Sequence, residues 1–129
     1  MQEKRNGKRV LAIDDDPLAR EIYKSILENA GFEVVTAGDG KSGIAAFKSG
    51  KFDCILLDIF MPGLSGLDVI ESLDPSNSKI PVIAISGGGA ATGAQPLLLA
   101  ASLGASASLC KDFEHEDLVR KVMELTGLA

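Results

Sequence analysis

Five short strand-like runs, each followed by a stretch with helical character, limit what this chain can fold into. Arg9-Val10-Leu11-Ala12-Ile13 is nearly continuous in apolar residues, as a strand must be when both of its faces are covered. Asp16 is placed to cap a helix and Pro17 suits its first position, since proline has a fixed φ and no donor to leave orphaned. Leu18, Ile22, Leu27 and Ala30, with Ala19 and Ile26 beside them, predict the buried stripe, and Gly31 the stop. The pattern repeats: strands over Phe32–Thr36, Phe52–Leu57, Ile80–Ile85 and Ala105–Cys110, with Pro81 tolerable only at a strand start. Helices are predicted from about Lys41 to Lys48 (Ile44, Ala45 and Phe47 inward, Gly50 ending it), Gly66 to Leu73, Pro96 to Leu103 and Glu114 to Leu125. Such alternation predicts an α/β fold, a (βα)5 doubly wound parallel five-stranded sheet with helices on both faces and right-handed crossovers.

The 129 residues fit one domain, expected over 9–129 behind a flexible tail at 1–8. With 46% hydrophobic and 24% charged residues, the composition is that of a globular chain. A net charge of −5 argues against nucleic acid as a direct ligand. No apolar run approaches the roughly 20 residues of a membrane span. The basic stretch Met1–Arg9 leads into a short strand and three aspartates, which is not a signal peptide and makes the cytoplasm the expected location. Cys54 and Cys110 both lie in apolar runs and are expected to be buried, reduced thiols, with a disulfide or metal pair as the alternative.

In open α/β sheets ligands bind beyond the carboxyl ends of the strands, so the residues just past each strand carry the chemistry. They are Asp14 and Asp15 after the first, Asp58 after the third, Ser86 after the fourth and Lys111 after the fifth. Alone, an acidic doublet is a loop feature and a lysine a solvated charge; together they form an improbable set. Like-charged carboxylates about 4 Å apart repel by about 4 kcal/mol at an effective dielectric near 20. A hard dication relieves this, and Mg²⁺ prefers one or two carboxylates plus phosphate oxygens. The third carboxylate then remains available as a nucleophile toward phosphorus. Catalysis of such a transfer is mainly positioning and charge neutralisation, to which Lys111 and Ser86 contribute.

Val10-Leu11-Ala12-Ile13-Asp14-Asp15-Asp16-Pro17 with Arg20 beyond, Asp58-Ile59-Phe60-Met61-Pro62-Gly63-Leu64-Ser65-Gly66, Ile83-Ala84-Ile85-Ser86 and Lys111 resemble a response-regulator receiver domain of the stand-alone type, over roughly Lys8 to Leu125. The resemblance implies the flavodoxin-like strand order 2-1-3-4-5. It implies Asp58 as phosphoacceptor and Asp14, Asp15, Asp58 and the Phe60 backbone carbonyl as Mg²⁺ ligands, with Ser86 as switch hydroxyl and Lys111 as the phosphoryl-binding lysine. It further implies a phosphohistidine donor on a sensor histidine kinase or histidine phosphotransfer protein. The change would be read at the face around the fourth helix, fifth strand and fifth helix by a downstream protein or a second copy, with no membrane or nucleic-acid partner and no turnover beyond self-phosphorylation and dephosphorylation. Phe60 and Gly88, two residues past the phosphoacceptor and the switch hydroxyl, match positions that influence phosphate lifetime.

The chain departs from that pattern in three places. Ser108 stands where the family usually has an aromatic switch residue. Asp112 stands where proline commonly follows the lysine, often through a cis bond; before a non-proline residue cis costs about 2.5–4 kcal/mol, so a trans Lys111–Asp112 bond is expected. The glycine-rich stretch after Ser86, Gly87-Gly88-Gly89 and then Gly93, is longer than the norm and is expected to order when Ser86 engages phosphate; without a following Gly-Lys-Ser/Thr it is no P-loop. The segment from Pro96, with Leu97, Leu98, Leu99 and Leu103, has more leucine than one buried stripe needs: either a few are simply exposed, or its outer face binds a partner.

Competing functions are a phosphorylation-independent receiver-like interaction module, which Ser108 and Asp112 favour, and an aspartate-nucleophile phosphatase. The latter wants an acid two residues after the nucleophile, where Phe60 stands. A flavin-binding protein would want Ser, Thr and Gly where Asp14-Asp15-Asp16 lie. His115, early on the last helix, is expected to face solvent and take no part.

Overall fold

The computed structural model describes residues 5–60, 66–73, 79–86 and 104–128. The strands are β1 (Arg9–Ile13), β2 (Glu33–Ala37), β3 (Cys54–Asp58), β4 (Val82–Ser86) and β5 (Ala107–Cys110), and the helices α1 (Pro17–Asn29), α2 (Gly40–Ser49), α3 (Gly66–Leu73) and α4 (His115–Leu125). The sheet is parallel throughout, in the order β2-β1-β3-β4-β5. The doubly wound α/β architecture and its strand order are those expected from the sequence.

Strand side chains alternate between two apolar layers, as a period of two requires. Val10, Ala12, Cys54, Leu56, Ile83 and Ile85 face one layer, completed by Ala19, Tyr23, Ile26 and Leu27 of α1 and Leu118 and Val122 of α4. Leu11, Ile13, Ile55, Leu57, Val82 and Ala84 face the other, under Val69, Ile70 and Leu73 of α3 with Ile44, Ala46 and Phe47 of α2 packed against them. All five positions of β3 and of β4 are buried, which explains why those runs are continuously apolar.

Capping sets the helix that borders the site. The Asp16 side chain accepts the Leu18 N–H at 3.0 Å, and Pro17 opens α1. At the far end Gly31 has φ 99°, the Gly31 N–H donates to Glu28 O at 3.0 Å and the Phe32 N–H to Leu27 O at 3.0 Å. This left-handed stop is the one that glycine permits. Ahead of β1, the Asn6 N–H donates to Gly31 O and the Glu33 N–H to Lys8 O, each at 3.0 Å.

Several local expectations are corrected. The buried stripe of α1 is Ala19, Tyr23, Ile26 and Leu27, whereas Leu18 is 67% and Ile22 40% exposed. Counting only apolar residues passed over Tyr23, and Leu18 and Ile22 lie about 100° round the helix from the true stripe. In α2, Ala45 is exposed; Gly40 and Gly43 are buried instead. A Cβ on Gly43 would come within 2.5 Å of Ile13 Cδ1, so glycine lets α2 sit directly on β1. β4 starts at Val82, although Pro81 O still accepts the Ile55 N–H at 3.0 Å. β5 starts at Ala107. Cys54 is buried but Cys110 is exposed, and both thiols are free; Cys110 and Ser108 lie on the side of edge strand β5 opposite buried Leu109. His115 is exposed as expected, and no peptide bond among the described residues is cis. Gly88, the glycine-rich stretch and the helix predicted over 96–103 lie outside the described residues. Among the described residues no helix is long and apolar enough to cross a membrane.

Candidate functional site

The acids expected to converge do so at the carboxyl ends of β1 and β3. Asp14 follows β1 and is fully buried; Asp58 ends β3 and is 2% exposed; Asp15 beside them is exposed. One carboxylate oxygen from each lies within 4.8 Å of the other two. Ser86, the last residue of β4, is buried beside them in the sheet, and its carbonyl accepts the Lys111 N–H at 2.9 Å. That bond seats Lys111 just past β5, from where its ammonium crosses the rim. Lys111 Nζ lies 3.1 Å from Asp14 Oδ2 and 3.4 Å from Asp58 Oδ2.

The backbone supports each carboxylate. Asp14 Oδ1 accepts the Asp16 N–H and Asp58 Oδ1 accepts the Phe60 N–H, both at 2.9 Å. The Arg20 guanidinium donates to the Asp14 carbonyl at 2.7 Å, which gives that motif residue a structural task. Gly66 is required by close approach: a Cβ there would lie 2.2 Å from Ile59 Cα and 2.6 Å from the Asp58 carbonyl oxygen. The spacing from Asp58 to Gly66 thus brings α3 against the backbone at Asp58 and Ile59. Phe60 itself is 45% exposed.

Burial pushes the Asp58 carboxyl up to about 6; the Asp14 charge adds to the rise, while the Phe60 N–H and Lys111 oppose it. Burial alone would lower the Lys111 ammonium, but its bonds to Asp14 and the charges of Asp14 and Asp58 outweigh that and hold it above its ordinary value. The rim is therefore short of positive charge. Its donors are hard oxygens, with no imidazole or thiolate among the clustered ligands, which suits an oxygen-seeking dication.

The sequence matches the response regulator receiver domain over residues 10–123. The chain belongs to that family. It is a receiver domain of two-component response regulators, a phosphoacceptor module. It is 32% identical over 122 residues to the probable transcriptional regulatory protein TcrX of Mycobacterium tuberculosis, covering 92% of this chain and 51% of TcrX. Among solved structures, a CheY-like receiver domain protein from Methanospirillum hungatei superposes with a TM-score of 0.85 at 28% identity, covering 93% of this chain and 94% of that one. TrrA of Thermotoga maritima, solved in complex with Mg²⁺-BeF, superposes with a TM-score of 0.78 at 31% identity, covering 92% and 98%. The receiver domain spans about half the length of the curated mycobacterial relatives it matches.

Asp14, Asp15, Asp58, Ser86 and Lys111 are gathered at one rim, as the strand-end rule foresaw. Ser108 is exposed on β5, paired with Ala84 of β4. Tyr23 was missed: it is buried and its hydroxyl donates to Asp14 Oδ2 at 2.7 Å. The available signal was a lone tyrosine in register with Ala19 and Ile26 on the inner face of α1.

Proposed function

We propose that Asp58 is the residue phosphorylated and that Asp14, Asp15, Asp58 and the Phe60 carbonyl hold Mg²⁺. The observation that carries this is three carboxylates, two of them buried, within 4.8 Å of one another with a single lysine bridging Asp14 and Asp58. The TrrA complex supports the choice of ion. When bound, the ion supplies positive charge against the carboxylates and the incoming phosphoryl oxygens.

The protein's own groups do the rest. An Asp58 carboxylate oxygen attacks phosphorus, the bond from phosphorus to the donor's imidazole nitrogen breaks, and that nitrogen keeps the electron pair and takes up a proton. The Phe60 N–H holds Asp58 in place through its Oδ1. Lys111, already within 3.4 Å of Asp58, turns its ammonium to the phosphoryl oxygens, and the Ser86 hydroxyl donates to another. Preorganised charge of this kind is commonly the largest catalytic contribution.

The donor is a phosphohistidine on a sensor histidine kinase or phosphotransfer protein, and exposed Leu18 and Ile22, beside Asp16, give it an apolar seat next to the site. The output is a change at the face that includes β5 and α4, read by a protein partner or a second copy; the charge of −5 disfavours DNA at this domain. Phe60 screens the phosphoryl group from water, so Phe60→Asn shortens the phosphorylated half-life. The domain acts in the cytoplasm.

The test is incubation with a small acyl phosphate, with and without Mg²⁺, followed by intact-mass measurement. A single phosphoryl gain that needs Mg²⁺ and is lost in Asp58→Asn is expected. Equal gain in the variant would reject Asp58, and no gain in any condition would favour an interaction module that works without phosphorylation.

A further inference from the structure

Tyr23 is the only tyrosine of the chain, which has no tryptophan. It occupies the inner face of α1, a place where an aliphatic side chain would fill the layer without needing a polar partner. A buried tyrosine hydroxyl needs one, and here it is Asp14 Oδ2 at 2.7 Å. The ring stacks on Phe113, with centroids 6.2 Å apart and planes at 26°. Phe113 is itself anchored by its N–H on Cys110 O at 3.1 Å, two residues past Lys111.

We propose that Tyr23 is a positioning residue for the metal site, fixing the Asp14 carboxylate in the orientation from which it helps to hold the cation. This rests on the assignment of Mg²⁺ to the acidic rim. Asp14 is held from two sides, by the Asp16 N–H on Oδ1 and the Tyr23 hydroxyl on Oδ2. The remaining donor, Lys111, approaches both oxygens at 3.3 and 3.1 Å, but Lys111 must turn to the phosphoryl group during transfer. The Asp16 amide and the Tyr23 hydroxyl then keep Asp14 from swinging. Without the hydroxyl, Oδ2 is left to Lys111, which competes with a cation for the same carboxylate. Donors that orient a ligand from behind in this way typically account for about 10–100-fold in metal affinity.

Tyr23→Phe keeps the ring and removes only the hydroxyl. Calorimetric titration with Mg²⁺ should show a dissociation constant about tenfold higher than wild type. Ile26→Val, which trims the same buried face of α1 without touching Asp14, should lower the unfolding midpoint yet bind Mg²⁺ within about twofold of wild type, the scale of a loss unrelated to ligand orientation. Because Tyr23 is the sole intrinsic fluorophore of its class, wild-type emission should change as Mg²⁺ saturates, with the calorimetric midpoint. Tyr23→Phe binding Mg²⁺ as tightly as wild type would overturn the inference, as would equal weakening by Ile26→Val or a flat emission titration, and all three leave Mg²⁺ at the rim intact. A wild-type protein that binds no Mg²⁺ would overturn both.

Discussion

The centre and the edge of this sheet are built on different terms. At the ends of β1 and β3, two carboxylates are buried beside Ser86 and fixed by backbone donors, Arg20, Tyr23 and Lys111. On edge strand β5 only Leu109 is buried; Ser108 and Cys110 are exposed. The centre gathers the carboxylates, Ser86 and Lys111 to which the proposed phosphoryl capture is assigned. The edge, where the family usually places an aromatic switch residue and a proline after the lysine, has Ser108 and Asp112. Capture depends on groups held to fractions of an ångström, whereas readout depends on a surface that each partner can reshape. On the proposed function, the chain's departures from the resemblance fall on the second, at Ser108 and Asp112.

Removing the charge at the centre should have the largest effect. Lys111→Met takes away the cation that bridges Asp14 and Asp58 and should slow phosphorylation from a small donor by about 10²–10³-fold, the usual cost of one preorganised donor. Single-turnover rates at saturating Mg²⁺ check this; a loss below about fivefold would move the charge neutralisation elsewhere, since it falls far short of that range. Next is Gly66→Ala, whose new Cβ would meet the Ile59 and Asp58 backbone. Overpacking of that kind costs about 1–3 kcal/mol, measurable by urea denaturation, and should also slow phosphorylation by displacing Asp58.

The same contrast accounts for what was legible in the sequence. Asp14, Asp15, Asp58, Ser86 and Lys111 could be read because topology sends every parallel strand's carboxyl end to one rim, and the strands themselves are short and apolar. The sheet order followed from the resemblance those residues carry. The register of Tyr23 with Ala19 and Ile26 places it on the inner face of α1, but its hydroxyl's partner depends on tertiary packing and could not be read. Periodicity alone puts Leu18 and Ile22 inward, although both are exposed and line a hollow with Asp16 and Lys111. Cys110 looked buried within an apolar run, but on β5 side chains alternate and only the face carrying Leu109 is buried.

A smaller effect is expected from pH. The Asp58 carboxyl is raised from 3.8 to about 6, so the folded state favours its protonated form. In metal-free protein the resulting stability is fully present below about pH 4, at the carboxyl's ordinary value, and is lost as pH rises through about 6. Thermal midpoints in chelator should fall over that window, and Asp58→Asn or added Mg²⁺ should flatten the fall. A midpoint that rises with pH in wild type but not in Asp58→Asn would contradict the sign. Smallest of all, Ser108→Ala at the exposed edge should change stability by no more than about 0.5 kcal/mol and leave the phosphorylation rate unaltered. A large effect there would mean that capture reaches the edge after all.

The central claim is that one of the crowded carboxylates, Asp58, forms the bond to phosphorus. Borohydride reduction of the phosphorylated protein converts an acyl-phosphate aspartate to homoserine, which peptide mass mapping then locates. Homoserine at position 58, formed only after incubation with Mg²⁺ and a phosphodonor, is the predicted result. Homoserine at position 14 or 15, or at none of the three, would contradict it.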